Sequence, residues 1–575
     1  MSLEQNVTNN SFYRLVARRN LEPFVDKTDF IAQLNFFVDS TSSRFQAVTR
    51  PRRFGKTVTA EMLRLYYSKD YNSEEIFANL KISQDPSFLE HLNKYVVIYW
   101  DMNDMKEIYD QSLRKGKSKK TNLINVICSE TIKKLRKNEK FNEVLSQNPD
   151  IDEFSLRSAV VEINEKLKEK FICIIDEWDL IFRNFKDDVE LQKQFIDLLN
   201  GLFKATEAGN CFSLVYMTGI LPIKKYESHS LLNNFKEYNM LEPRTYAKFF
   251  GFTDDEVKEL VKKFNDSVSY EELKEWYDGY KLKGMEIYNP YSVGNAITDH
   301  EALCYFKHTA SNDDANKLIN TNLYGLYDDV LKLTSGQKVP FCSENFENDL
   351  TQIKSRDDVY CLLVCLGYLA CIDLPKEYKD ELNKINAISD DAVKDYNKLA
   401  FIPNKEIETI FRDFKRGESW QKTLESIKLA KKITFAITQM DEETVAKEFT
   451  EYYLSDFIAI NDRTKEVNLR LAFISALKPY TENNYAIKPD DSAGLGYADA
   501  IYYPLPFTNI TPNYAIIIEF KIDKNPDIAL KQIDERRYYQ HCSKLYKDIF
   551  LVGINYNSDA KKCECKITKY SDLIK

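Results

Sequence analysis

The chain has 575 residues, of which 43% are hydrophobic and 29% are charged, and its net charge is −9. This length predicts roughly two to four domains, and the composition is that of a globular protein with several cores. The acidic balance excludes a histone-like polycation, so any nucleic acid must be bound by local basic groups or by bridging metal ions.

The cysteine and hydropathy patterns bear on location. The eleven cysteines form no Cys-x-x-Cys pair, which favours reduced thiols in a cytoplasmic protein. Residues 1–10 are polar and lack the apolar stretch of a signal peptide. The longest apolar run, 361–372, is too short to span a bilayer. We therefore expect a soluble intracellular protein with no membrane partner.

The first 220 residues alternate apolar strands with helical segments, which is typical of an α/β domain with a parallel sheet. Strands are predicted over 45–49, 95–101, 171–175 and 212–218, and a helix over 57–67. The middle of the chain is mainly helical, and the last 110 residues return to strands. The elements expected there are helices over 254–265, 270–277, 405–414 and 419–437, and strands over 515–520 and 548–554 with a charged helix between them.

A candidate phosphate loop lies between the first strand and the first predicted helix. Gly55 would let the backbone approach a phosphate, Lys56 would pair with phosphate oxygens, and Thr57 would place its hydroxyl on Mg²⁺. Arg50 stands where the usual pattern has its first glycine. A bare Gly-Lys-Thr also arises by chance, so an ordinary helix start is the alternative.

A second motif follows the strand at 171–175. Asp176 and Glu177 end this strand, as in a Walker B motif, where the aspartate holds the Mg²⁺ shell and the glutamate polarises the attacking water. The alternative is a strand that ends in a solvated acidic turn. Thr218, at the end of a further strand, suits a sensor position near the γ-phosphate, although strands commonly end in such polar turns.

Together these motifs resemble the AAA-ATPase-like family over roughly residues 12–300. In that family the Arg-Pro-Arg-Arg-Phe-Gly-Lys-Thr form of the loop is usual, so the missing glycine is a family trait. The resemblance implies an ATP-type P-loop fold with Mg²⁺. The segments that carry it are 24–28, 49–57, 174–179, 217–220, 232–234, 250–253, 276–280 and 288–293.

An acidic constellation marks the C-terminal strands. Glu519 and Lys521 are two residues apart on a predicted strand and project from the same face, where Asp499 from a neighbouring strand could meet them. Two carboxylates and a lysine are the groups that metal-dependent phosphodiester hydrolysis requires. Glu-x-Lys is also common on half-exposed strands. Tyr502 and Tyr503 are candidates for stacking on bases, with buried sheet positions as the alternative.

This segment, roughly 445–570, resembles the PD-(D/E)XK nuclease superfamily. Asp499, Glu519 and Lys521 fall on its motif residues, which implies binding of Mg²⁺ or Mn²⁺. Two departures are Tyr497, in place of the usual arginine, and Leu469-Arg470, in place of a common Tyr-His. The resemblance also implies accessory roles for Gln532, Tyr538 and Glu466.

The sequence thus predicts three parts: an AAA-ATPase-like P-loop domain over 1–300, a helical connecting region over 301–444 with a winged helix as one option, and a restriction-endonuclease-like α/β domain over 445–575. Two functional hypotheses follow. The first is an ATP-gated nuclease acting on nucleic acid, with DNA favoured over RNA, in a chain that could form homo-oligomers. The second is a nucleotide-dependent switch or scaffold that binds without cutting. An NTPase motor is a third reading and would need an arginine from a neighbouring subunit.

Overall fold

The computed structural model consists of two compact units. Unit 1 comprises residues 1–312, 343–372 and 402–409, and unit 2 comprises residues 313–342, 373–401 and 410–575. The sequence-based boundaries at 300 and 444 stay a prediction. The structure describes residues 8–114, 122–223, 225–226, 229–230, 232–264, 268–306, 319, 326–344, 346–347, 353, 355–380, 396–414, 419–454, 465–481, 484–493, 496–504 and 514–573.

The strands and helices follow in chain order. The strands are β1 Phe45–Thr49, β2 Val96–Asp101, β3 Phe171–Asp176, β4 Phe212–Gly219, β5 Lys225–Tyr226, β6 His229–Ser230, β7 Lys236–Tyr238, β8 Phe252–Thr253, β9 Tyr280–Leu282, β10 Met285–Tyr288, β11 Val339–Phe341, β12 Ala370–Asp373, β13 Lys398–Phe401, β14 Tyr485–Ala493, β15 Gly496–Pro504, β16 Tyr514–Ile522, β17 Asp548–Asn557 and β18 Lys562–Lys569. The helices are α1 Ser11–Ala17, α2 Asp29–Asn35, α3 Lys56–Tyr67, α4 Glu74–Phe77, α5 Phe88–His91, α6 Met102–Arg114, α7 Leu123–Leu135, α8 Glu139–Gln147, α9 Leu156–Leu167, α10 Leu180–Asn184, α11 Val189–Phe203, α12 Thr206–Gly209, α13 Asp254–Lys263, α14 Tyr270–Tyr277, α15 Pro290–Asp299, α16 Leu326–Thr334, α17 Arg356–Leu366, α18 Lys405–Phe414, α19 Ser419–Thr438, α20 Glu442–Leu454, α21 Glu466–Thr481, α22 Pro526–Glu535 and α23 Tyr570–Leu573.

Unit 1 is built on a five-stranded sheet of order β2-β3-β4-β1-β7, in which every neighbouring pair is parallel. Apolar clusters cover both faces, with Ile175 and Met217 in one and Ile174 and Tyr216 in the other. Burial on both faces explains the unbroken apolar runs of these strands. The predicted parallel α/β fold of the N-terminal region is confirmed.

Unit 2 is built on a mixed sheet of order β14-β15-β16-β17-β18. Strands β16 and β17 are parallel, and the other neighbouring pairs are antiparallel. Helix α22 connects the parallel pair and packs against both strands. Helices α19, α20 and α21 supply apolar side chains, among them Phe449 and Phe473, to the core on the other face. The predicted α/β fold of this region is confirmed.

The described helices include none that combines the length and the apolar character needed to cross a bilayer.

Candidate functional site

The phosphate loop connects the end of β1 to the start of α3. Gly55 caps this helix with a φ of 84°, in the left-handed region that favours glycine. The first backbone N–H groups of α3 have no partner within the helix, and such groups at a helix N-terminus can bind an anion. The structure thus places Gly55, Lys56 and Thr57 in the strand–loop–helix arrangement predicted from the sequence.

Lys56 is buried and folded back onto its own loop. Its Nζ donates a 2.9 Å hydrogen bond to the carbonyl oxygen of Pro51 and lies 3.9 Å from Oε1 of Glu177. Burial lowers the pKa of Lys56, while the nearby carboxylates of Glu177 and Asp176 act in the opposite direction. A phosphate group at this loop would replace the neutral carbonyl of Pro51 with a second anionic partner for the ammonium, beside Glu177.

Asp176 ends β3 in a position of almost complete burial. Burial raises its pKa to about 7, and a hydrogen bond with Thr57 opposes that rise. In the sheet Asp176 is paired with Asp101 at the end of β2, and burial also raises the pKa of Asp101. Buried carboxylates that resist ionisation without a cation fit a site for Mg²⁺. Sequence reasoning missed Asp101, although it also ends an apolar strand.

Glu177 follows with a φ of 56° and is held by an arginine. Nη2 of Arg183 donates to Oε2 of Glu177, and Nε of Arg183 donates to Oδ2 of Asp179 over 2.9 Å. Asp179 is fully buried and also accepts from the backbone N–H groups of Ile220 and Leu221. The carboxylate predicted to polarise water is therefore engaged by a cation. Arg183 was not identified from the sequence.

Thr218 lies inside the sheet, where its hydroxyl donates 2.9 Å to the carbonyl oxygen of Val48. It is fully buried and does not line the cavity beside the loop. Its sensor role stays a prediction, and this hydrogen bond does not support it.

A cavity of about 990 Å³ adjoins the loop and is wide enough for a nucleotide. The residues that line it include Gly55, Lys56 and Thr57 of the loop, together with Glu177 and Arg183. Its apolar lining residues, which suit the packing of a base, are Phe12, Leu15, Pro23, Phe24, Val25, Phe249 and Phe252.

Two loop arginines have distinct environments. The guanidinium of Arg53 lies 3.6 Å from the ring centroid of Tyr291, on α15, at the wall of the cavity. Arg50 is fully buried, and its Nη1 donates to the carbonyl oxygens of Thr49 and Tyr238. Burial lowers the pKa of Arg50 to about 10. The arginine at the usual glycine position therefore links β1 to the edge strand β7.

The second candidate site lies where β15 and β16 diverge in unit 2. Oδ2 of Asp499 accepts a 2.8 Å hydrogen bond from the backbone N–H of Phe520, so the Asp499 carboxylate lies directly beside Glu519 and Lys521. Nζ of Lys521 donates to Oε1 of Glu519 over 3.0 Å. The three residues singled out in the sequence are thus brought together, as expected from the alternation along a strand.

Glu519 is the most constrained member of this group. Burial, followed by the charge of Asp499, raises its pKa to about 7, and burial also raises the pKa of Asp499. Among the described residues, Oε2 of Glu519 is buried and accepts no hydrogen bond. A buried carboxylate oxygen without a donor, beside a second carboxylate, fits a divalent cation.

Metal binding here would rely on few protein ligands. Within the described ranges, no group of three or more His, Cys, Asp or Glu side chains is placed to hold a metal ion. A cation between Asp499 and Glu519 would therefore take its remaining ligands from water or from phosphate oxygens, as Mg²⁺ commonly does.

The accessory residues surround this pair. Gln532, on α22, donates to Oε1 of Glu519 and, over 3.3 Å, to the hydroxyl of Tyr538. Glu466 begins α21 and lies 4.0 Å from Nζ of Lys524. One residue was missed as a participant: Nη1 of Arg470 lies 3.7 Å from Oδ1 of Asp499.

The aromatic candidates require a correction. Tyr502 and Tyr503 are 0% and 2% exposed, so neither ring is available to a base. Both pack into the apolar cores on opposite sides of β15. The exposed tyrosine near Asp499 is instead Tyr497.

Comparison with known proteins confirms both family resemblances. Residues 8–228 match the family described as predicted AAA-ATPase, and residues 464–565 match the PD-(D/E)XK nuclease superfamily. The chain therefore carries an AAA-ATPase-like domain followed by a nuclease-superfamily domain.

Individual relatives are distant. An "Uncharacterized protein in vnfD 5'region" from Azotobacter chroococcum mcd 1 is 22% identical over 278 residues, which are 47% of this chain and 47% of that protein. The chain spans about half the length of this curated relative. The crystal structure of Cdc6p from Pyrobaculum aerophilum aligns with 12% identity and a TM-score of 0.24, over 68% of this chain and 92% of that chain.

Proposed function

We propose that the protein binds ATP in unit 1 and hydrolyses phosphodiester bonds of nucleic acid in unit 2, and that the nucleotide regulates cleavage. The observation that carries this proposal is the convergence of Asp499, Glu519 and Lys521, with a buried Glu519 oxygen that lacks a donor. The preferred nucleic acid is DNA, and the active form could be a homo-oligomer.

Each side chain has a chemical task in this scheme. Asp499 and Glu519 would hold Mg²⁺ or Mn²⁺, which when bound neutralises phosphate charge and activates water. Lys521 stabilises the ionised form of Glu519 and presents a cation to the developing negative charge. Gln532 fixes the orientation of the Glu519 carboxylate through Oε1, which leaves Oε2 directed away from these donors.

The side chains of the nucleotide site would also have separate roles. Lys56 would leave Pro51 and pair with phosphate oxygens, while Thr57 and Asp176 would hold Mg²⁺. Glu177 would orient water only after its carboxylate is released from Arg183. Hydrolysis would therefore be slow in the arrangement observed.

The Arg183–Glu177 pair also favours a second function. A nucleotide-dependent switch needs binding without fast turnover, and a catalytic glutamate held by arginine provides that property. In this alternative the unit 2 site binds nucleic acid or a protein without cutting. The departures Tyr497 and Arg470 would then belong to a binding surface.

The deciding experiment measures cleavage of plasmid, single-stranded DNA and RNA with Mg²⁺ or Mn²⁺, with and without ATP. Wild type is compared with Asp499→Ala and Lys56→Ala, and Glu535→Gln on the exposed side of α22 is the control. Cleavage lost in Asp499→Ala supports the nuclease, and an ATP effect lost in Lys56→Ala supports regulation. Absence of cleavage under every condition, in protein that still binds ATP, would favour the switch.

A further inference from the structure

Tyr497 is an exposed aromatic residue beside the Asp499 carboxylate. It lies near the start of β15 and is 69% exposed, whereas Ala498 between the two residues is fully buried. Residues two apart on a strand are about 7 Å apart along it. Tyr497 and Asp499 therefore flank one buried position near the start of β15.

The Tyr497 ring takes no part in the packing of the described residues. Within the described part of the chain, Tyr497 makes no ring–ring contact and its hydroxyl makes no hydrogen bond, whereas the buried Tyr502 of the same strand packs against the ring of Tyr485. Large aromatic side chains contribute most to stability when they are buried. An exposed one next to a candidate catalytic carboxylate is available to a ligand.

The surroundings combine basic and apolar groups. Arg470 approaches Asp499 from α21, and on the same helix Val467 and Leu471 are 53% and 50% exposed. Directly after α22 the exposed Arg536 borders the strand start, since a Cβ at Gly496 would lie 3.6 Å from its Cδ. Proteins that bind single strands combine such basic groups, which follow the phosphate backbone, with aromatic rings on which bases stack.

We propose that Tyr497 stacks on a base next to the phosphate held at Asp499 and Glu519, so that the site selects unpaired nucleic acid. A base within a duplex is covered on both faces by its neighbours and cannot offer a face to the ring, whereas a base in a single strand can. This inference rests on the proposed nucleic-acid site of unit 2 and specifies its substrate. It also gives a reason for the tyrosine where the superfamily pattern has an arginine.

The test measures binding separately from cleavage. Oligonucleotides with a single 2-aminopurine are titrated with the full-length protein in Ca²⁺, as a single strand and as a duplex. The variants are Tyr497→Ala, Tyr497→Phe and Tyr497→Arg, and the control is Phe435→Ala, an exposed aromatic on α19.

We expect stacking to quench the 2-aminopurine signal in wild type and Tyr497→Phe, and to be lost in Tyr497→Ala. Loss of one base–aromatic contact should weaken single-strand binding about tenfold and leave duplex binding nearly unchanged. Tyr497→Arg should recover affinity through phosphate, without quenching. The Phe435→Ala protein should behave like wild type.

Two results would overturn the inference. One is unchanged quenching and affinity in Tyr497→Ala; the other is an equal loss for single strand and duplex. The assay distinguishes this failure from failure of the proposed function. If quenching depends on Tyr497 but the protein never cleaves, the binding surface is supported and the nuclease function is rejected. Cleavage that is insensitive to Tyr497 would retain the nuclease and reject the stacking.

Discussion

Replacement of Glu519 by glutamine should stabilise the metal-free protein at alkaline pH while abolishing cleavage. The side chain is only 3% exposed, and burial raises its pKa from 4.5 to about 7. The folded state therefore disfavours the charged form. As the pH rises from about 4.5 to about 7, the wild-type protein loses stability, because the unfolded chain releases this proton more readily than the folded one.

The magnitude follows from the two pKa values. A difference between 4.5 and about 7 corresponds to about 3 kcal/mol, reached above pH 7, as an upper limit. Glutamine resembles the protonated acid: its Oε1 can still accept from Lys521 and Gln532, so little should be gained at pH 5. In a unit of this size each kcal/mol raises the unfolding midpoint by about 2–4 °C.

The assay is thermal unfolding of wild type and Glu519→Gln between pH 5 and pH 8, with and without Mg²⁺. As the pH rises, the unfolding midpoint of the variant should increase relative to that of wild type, and most of this increase should occur between pH 5 and pH 7. Mg²⁺ should stabilise wild type at pH 8 more than the variant, because glutamine lacks the ionised carboxylate that Glu519 offers to the cation. Glu535→Gln, on the exposed end of α22, should follow wild type throughout.

A constant difference between variant and wild type across this pH range would refute the burial argument. A loss of stability in Glu519→Gln at pH 8 would show instead that the carboxylate is favourably paired in the metal-free fold. An equal Mg²⁺ effect in both proteins would place the cation elsewhere.

Three further predictions concern unit 1. Arg50→Gly recreates the more usual loop pattern but should destabilise the protein by about 2–5 kcal/mol, because it leaves a cavity and removes the hydrogen bond to Tyr238. Thermal unfolding measures this loss, and an unchanged unfolding midpoint would contradict it. Arg183→Ala should release the Glu177 carboxylate and raise the basal rate of ATP hydrolysis severalfold, measured as phosphate release. If the rate of Arg183→Ala is instead as low as that of Glu177→Gln, the arginine is part of the catalytic machinery. Because burial raises the pKa of Asp176 to about 7, calorimetric Mg²⁺–ATP affinity should rise about tenfold from pH 6 to pH 8, and a flat profile would argue against Asp176 as a metal ligand.

Local features of both sites were predictable because they are contiguous in the chain. The loop that ends in Gly55, Lys56 and Thr57 needs only a strand before it and a helix after it. Asp176 and Glu177 end an apolar run, and Glu519 and Lys521 share a face by strand alternation alone. The two parallel or mixed sheets follow from the same runs, since continuous apolar strands must be covered on both faces.

The tertiary structure decided what these residues contact, because the partners are remote in sequence or lie on other elements. It brought Arg470 to Asp499, held Glu177 with Arg183, and buried Arg50 against the edge strand. It also directed the hydroxyl of Thr218 into the sheet and buried Tyr502 and Tyr503, while Tyr497 stayed exposed. Which side of a strand meets a core, and which meets solvent, depends on the helices packed against it, and no local pattern specifies those helices.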